Sequence, residues 1–175
     1  AEPDLEISVK SMVSTGYLKA FKKPQVAEIY IICVPTPVHK NGLIPTPNMD
    51  FVLDATRSIA KLLKPNDLLI LESTSPVGTT ERVRDWLAKL RLDLKMPGTS
   101  EKPDINIAHS PERVLPGKVF RELIENDRVV GGISEIDSLK AKSFYKTFCK
   151  GEVHETKAET AELVKLTENS YRDAN

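Results

Sequence analysis

Lys165 and Asn169 lie four residues apart, so a helix over the C-terminal stretch puts both on one face. An ammonium and a carboxamide are both hydrogen-bond donors. Glu112 follows a short apolar run, where a strand should end, and a strand end of an α/β sheet is where a ligand would sit. Each residue also has an ordinary reading. Spacing alone favours plain helix surface for Lys165 and Asn169. Glu112 also fits a helix-starting carboxylate, and Thr74 a turn threonine bonded to its own backbone. Cys33 and Cys149 form no Cys-x-x-Cys motif, and buried cysteine often behaves as a small hydrophobe, so neither is assigned as a nucleophile. His39, His109 and His154 lack metal-ligand spacing, and no metal site is expected.

The elements that must position these residues can be read from periodicity. Helical spacing runs over residues 4–20, with Leu5, Val9, Met12 and Val13 as the stripe and Gly16 as a stop. Residues 27–34 form a β-branched apolar run, a buried strand stopped by Pro35-Thr36-Pro37. A loop to about Asn48 precedes a helix over 50–63. Asp67–Glu72 is a second strand, and Ser73–Gly78 a tight loop. Thr79-Thr80 then caps a helix to about Leu92. Strands follow at 105–109 and 128–132, separated by a loop and short helix. A helix over 135–148, a short strand near 153–155 and a helix over 158–174 complete the chain.

Alternating helices and buried strands imply an α/β fold with a parallel sheet covered on both faces. Ligands of such sheets sit beyond the carboxyl ends of the strands. That rule selects three loops: Val34-Pro35-Thr36, Ser73-Thr74 and Ser110-Pro111-Glu112.

Lysine plus arginine equals aspartate plus glutamate, 25 against 25, which argues against a non-specific nucleic-acid binder. The chain has 175 residues, 40% hydrophobic and 29% charged, in the range of an ordinary soluble domain. No apolar run approaches the ~18 residues of a membrane span. Two cysteines outside any disulfide framework read as reduced thiols in the cytoplasm. No G-x-G-x-x-G is present, and the only glycine pair is Gly131-Gly132, late in the chain.

Four segments, in this order, resemble the UDP-glucose/GDP-mannose dehydrogenase family. They are Ile32–Pro37, Glu72–Thr80, Ser110–Gly117 and Glu162–Asp173. The run Pro-Glu-Arg-Val-Leu-Pro-Gly, with Pro116 where many UDP-glucose enzymes carry a second glutamate, resembles the branch acting on UDP-N-acetylmannosamine and related N-acetyl sugars.

The resemblance implies NAD as cofactor and a UDP-sugar as substrate. The sugar C6 alcohol would be oxidised to the carboxylate in two steps, using two NAD. It implies an incomplete Rossmann-like NAD-binding domain over residues 1–155, its first βαβ unit missing, with a mostly parallel sheet and helices on both faces. Residues 156–175 would start a long central helix that pairs two subunits in a homodimer. A C-terminal UDP-binding domain, with the catalytic cysteine, would lie outside the chain, and the fragment alone would be inactive.

The resemblance also assigns roles. Thr74, Glu112, Lys165 and Asn169 are the catalytic residues. Val34, Pro35, Thr36, Ser73, Thr74 and Glu112 line the cofactor. Arg113, Val114, Lys165 and Asn169 meet the substrate. Arg172 and Asp173 fit a salt-bridged surface better. Two alternatives stand beside this reading: a sibling activity on UDP-glucose or another nucleotide sugar, and a non-catalytic module that binds nucleotide or assembles through its last helix.

Overall fold

The computed structural model describes residues 3–39, 45–112, 114 and 117–175. Its elements, in chain order, are α1 (Pro3–Ser14), β1 (Ile29–Ile32), β2 (Val38–His39), β3 (Thr46–Pro47), α2 (Asp50–Ala60), β4 (Leu68–Leu71) and α3 (Thr79–Leu90). They continue with β5 (Asn106–His109), α4 (Val119–Glu125), β6 (Arg128–Gly132), α5 (Glu135–Tyr145), β7 (Val153–Lys157) and α6 (Ala158–Ala174). The main sheet runs β1-β4-β5-β6-β7, and β2 and β3, two residues each, form a separate antiparallel pair within the expected loop.

Alternation along the strands sorts the core into two layers. Leu69, Leu71 and Ile107 face a cluster with Val52 and Ile59 of α2 and Val83 and Leu87 of α3. Leu68, Ile70, Ala108 and Val130 face the other way, onto Ala141 and Tyr145 of α5. Helix α6 joins the first layer, packed on β6 through Gly131. A Cβ on Gly131 would lie 2.3 Å from the Lys157 carbonyl and 2.8 Å from Ala161 Cβ, so only glycine allows that approach. Ser134 and Asp137 close a capping box at the start of α5.

Three expectations need correction. First, the sheet is mostly parallel, as the resemblance implies, but not parallel throughout, as alternation alone implies: β1, β4 and β5 run together, while β6 is antiparallel to β5 and parallel to β7. A strand buried on both faces has the same apolar pattern in either direction. Second, β1 is half-covered rather than buried: Tyr30 and Ile32 lie in the core while Ile29 and Ile31 are exposed, and no described element packs on that face. The apolar stripe of α1 is similarly open, with Val9, Met12 and Val13 exposed. This helix ends at Ser14, just before the expected stop at Gly16, whose φ is +78°. Third, Thr79 and Thr80 do not cap α3. The N-cap is Gly78, in the left-handed region at φ 88°, without a side-chain cap of its own. The α3 amides are met by a carboxylate from α6.

Candidate active site at the strand ends

The carboxyl ends of β1, β4 and β5 lie side by side, and backbone bonds continue past them. Ile32 accepts from the amides of Glu72 and Ser73 at 3.0 and 3.2 Å, and Leu71 from that of Ser110 at 3.1 Å. Side chains then join the first two loops. The Val34 amide donates to Ser73 Oγ at 2.8 Å, and the Ser73 hydroxyl donates to the Val34 carbonyl at 2.8 Å. Thr36 Oγ1 donates to the Thr74 carbonyl at 2.6 Å. Val34, Pro35, Thr36, Ser73 and Thr74 therefore form one wall. Ser73 is buried in it, Thr36 and Thr74 are half-buried, and Pro35 is exposed.

Glu112 sits at the third strand end. Its Oε1 accepts from the Val114 amide at 3.0 Å, and Lys165 Nζ donates to its backbone carbonyl. A residue of α6 is thereby brought onto the β5 loop, 53 positions away in sequence. Asn169 lies one turn further along α6, half-buried, and its side chain bonds to no described residue. Arg113 lies outside the described residues. Arg172 and Asp173 are exposed at the end of α6.

Beneath this row is a charged cluster that the sequence reading missed. Arg128 is only 6% exposed although it opens β6. One guanidinium nitrogen lies 3.7 Å from Glu72 Oε1, another 3.6 Å from Glu112 Oε2, and the group stacks over the Tyr145 ring at 4.5 Å. The Tyr145 hydroxyl donates to Glu72. Burial, and then the Glu72 charge, push the Tyr145 phenol well above its usual range, so it stays a donor. A charge heading an otherwise apolar strand was the available signal, because such a charge needs a buried partner.

The thiol of Cys33 donates to Glu72 Oε2 at 3.3 Å. Burial, the Glu72 charge and this bond push it up to about 12. A nucleophilic cysteine needs the opposite shift. Cys149 is buried at the far side of α5, bonded to the Asn126 carbonyl at 3.3 Å. A groove of about 820 Å³ lies away from the strand-end row. Glu81, Glu135, Glu155 and Glu159 line it, a poor setting for a phosphate-bearing ligand.

Comparison with known proteins gives a consistent answer. The model of the UDP-glucose/GDP-mannose dehydrogenase family, NAD binding domain, matches residues 1–149. The UDP-N-acetyl-D-mannosamine dehydrogenase of Yersinia pestis is 53% identical over 99% of this chain and 41% of its own. The NDP-N-acetyl-D-galactosaminuronic acid dehydrogenase of Ralstonia nicotianae is 49% identical over the same shares. Among solved structures, the UDP-D-ManNAc dehydrogenase of Pyrococcus horikoshii superposes with a TM-score of 0.86 at 38% identity, covering 99% of this chain and 40% of the other. The chain thus spans about two fifths of the length of the curated relatives it matches.

Proposed function

Because this chain belongs to the UDP-glucose/GDP-mannose dehydrogenase family and carries its NAD binding domain, we propose that it is the positioning part of a nucleotide-sugar 6-dehydrogenase. The substrate is UDP-N-acetyl-D-mannosamine, oxidised at C6 to the uronate for cell-surface polysaccharide synthesis. The observation that carries the reading is the meeting of Lys165, from α6, with the Glu112 loop at the strand ends, next to the Thr36–Thr74 wall.

The residues present fit one end of the cofactor. The Thr36 hydroxyl ties the strand-end wall together through the Thr74 carbonyl, and Ser75 Oγ nearby is buried without a hydrogen-bond partner among the described residues. The α3 N-terminus is closed to a phosphate, since Glu162 already fills it. Val34, Pro35, Thr36, Ser73 and Thr74 would therefore flank the nicotinamide end, and the pyrophosphate would be held elsewhere. NAD supplies a hydride acceptor. Within the chain, Lys165 and Asn169 place donors on one helix face for an oxygen that becomes anionic at C6. Glu112 keeps a partly open carboxylate to organise the water that enters the second oxidation. The nucleophile that traps the aldehyde is neither Cys33, whose thiol is held protonated, nor the buried Cys149.

The Ralstonia relative favours a second sugar, an N-acetylgalactosamine derivative, for the same chemistry. We further place the enzyme in the cytoplasm as a homodimer paired through α6. The deciding experiment assays the intact protein with UDP-N-acetylmannosamine, UDP-N-acetylgalactosamine and UDP-glucose, following NADH. Preference for the mannosamine substrate is expected, and preference for UDP-glucose overturns the assignment. The 175-residue chain alone should show no turnover and weak NAD affinity, and tight NAD binding by calorimetry contradicts the proposed division of labour.

A further inference from the structure

We propose that Arg128 is the positioning residue of Glu112, acting by clamping one carboxylate oxygen from below while the Val114 amide holds the other. The inference rests on the role assigned to Glu112 above. Its basis is the reversal of β6. Ala108 pairs with Gly132 and His109 with Gly131; continuing that register places Glu112 opposite Arg128. In a parallel β6 the first residue would lie at the far end of the sheet. The antiparallel turn brings it to the end where β4 and β5 terminate.

The geometry then constrains Glu112 on three sides. Oε1 accepts from the Val114 amide at 3.0 Å, Oε2 faces Arg128 Nη2 at 3.6 Å, and the backbone carbonyl accepts from Lys165. A carboxylate held by both oxygens keeps one rotamer, while its side chain stays 33% exposed. That leaves an open flank for a water.

Arg128 is itself fixed. It is nearly buried, lies on Tyr145, and its Nη1 reaches Glu72 Oε1 at 3.7 Å and Ser110 Oγ at 3.5 Å. Only a planar fork spans two carboxylates in this way; a lysine ammonium is a single point. Glu72 balances the remaining demand of the cation, so the cluster does not leave a buried charge unpaired.

The test has two arms. In the 175-residue chain, ¹⁵N NMR reads the rotation of the Arg128 guanidinium about Nε–Cζ. Slow rotation with resolved Nη signals is expected, speeding up in Glu112→Gln. No change in that variant overturns the clamp, and this arm needs no enzyme activity. In the intact enzyme, Arg128→Met should lower kcat about tenfold or more with KM nearly unchanged, as loss of an aligned base does. The double variant Arg128→Met/Glu112→Gln should be no slower than Glu112→Gln alone, because Arg128 then has nothing left to position. Additive losses would mean a purely structural arginine and overturn the proposal. Where Arg128→Met does not fold, Arg128→Lys keeps the charge and the same cycle is read. If the intact wild type oxidises no nucleotide sugar, the proposed function falls, and the NMR arm alone decides the link between Arg128 and Glu112.

Discussion

Glu162 and Thr80, 82 residues apart, are joined twice: one carboxylate oxygen of Glu162 accepts from the Thr80 amide at 2.7 Å and from the Thr80 hydroxyl at 2.6 Å. The other oxygen accepts from the Gly78 amide at 2.5 Å. A side chain on α6 thus supplies the N-terminal cap that α3 lacks locally, and a fully buried carboxylate meets the positive end of a helix dipole. The contact also sets the height of α6 over the sheet, which carries Lys165 to the Glu112 loop one turn later.

Removing this cap should be costly. Glu162→Ala leaves the buried Thr80 amide and the half-buried Gly78 amide unbonded, and a loss of about 2–3 kcal/mol is expected in denaturant unfolding. Burial raises the Glu162 carboxyl above its ordinary 4.5, with its hydrogen bonds opposing the shift. The folded state therefore binds the proton more tightly than the unfolded chain. The stability this contributes is present below 4.5 and is lost as pH rises through the folded value. Glu162→Gln should remove that slope; a Gln variant with the wild-type pH dependence would contradict the assignment.

His109 should act in the opposite direction. It is completely buried, neither ring nitrogen has a partner among the described residues, and burial lowers it from 6.5 to about 4. Between those values the unfolded chain binds the extra proton and the folded protein does not. Stability then falls as pH drops from 6.5 towards 4, by about 3 kcal/mol in total. His109→Leu should abolish this loss in unfolding curves at pH 7 and pH 4.5, and a loss that persists in the variant means His109 does not cause it.

Cys33 is exposed yet should be unreactive. With its thiol pushed up to about 12, the thiolate fraction at pH 8 is tiny, and alkylation by iodoacetamide should run on the order of a hundredfold or more below that of a free cysteine. Glu72→Gln removes the charge that contributes to the shift and should speed the reaction. A wild-type rate equal to that of free cysteine counts against the Cys33–Glu72 contact.

Lys165 should matter to turnover more than to binding. In the intact enzyme, Lys165→Met is expected to lower kcat about 10²–10³-fold, as removal of one oxyanion donor does. Asn169→Ala should fall in the same direction, while Arg172→Ala, at the exposed end of α6, should be close to wild type. Steady-state kinetics on the three variants checks the order, and an equal loss in all three would point to damage of the helix rather than of the site.

The sequence by itself determined what depends on neighbours along the chain. β6 begins at Arg128 and ends at Gly132 as its apolar run indicates, α6 covers 158–174, and the loops at Thr36, Thr74 and Glu112 follow their strands directly. Side-chain periodicity and proline or glycine stops are local properties, so they are readable without a fold. Tertiary structure alone decided the direction of β6, since a strand covered on both faces has the same pattern either way. From that direction follows the place of Arg128 beside Glu112. The capping of α3 by Glu162 was equally unreadable: Thr79-Thr80 has the composition of a cap, and only the packing of α6 against the α3 N-terminus shows a distant carboxylate doing that work. Both are long-range electrostatic pairings, which leave no periodic mark in a sequence because their partners are fixed only once the sheet has set the distance between them.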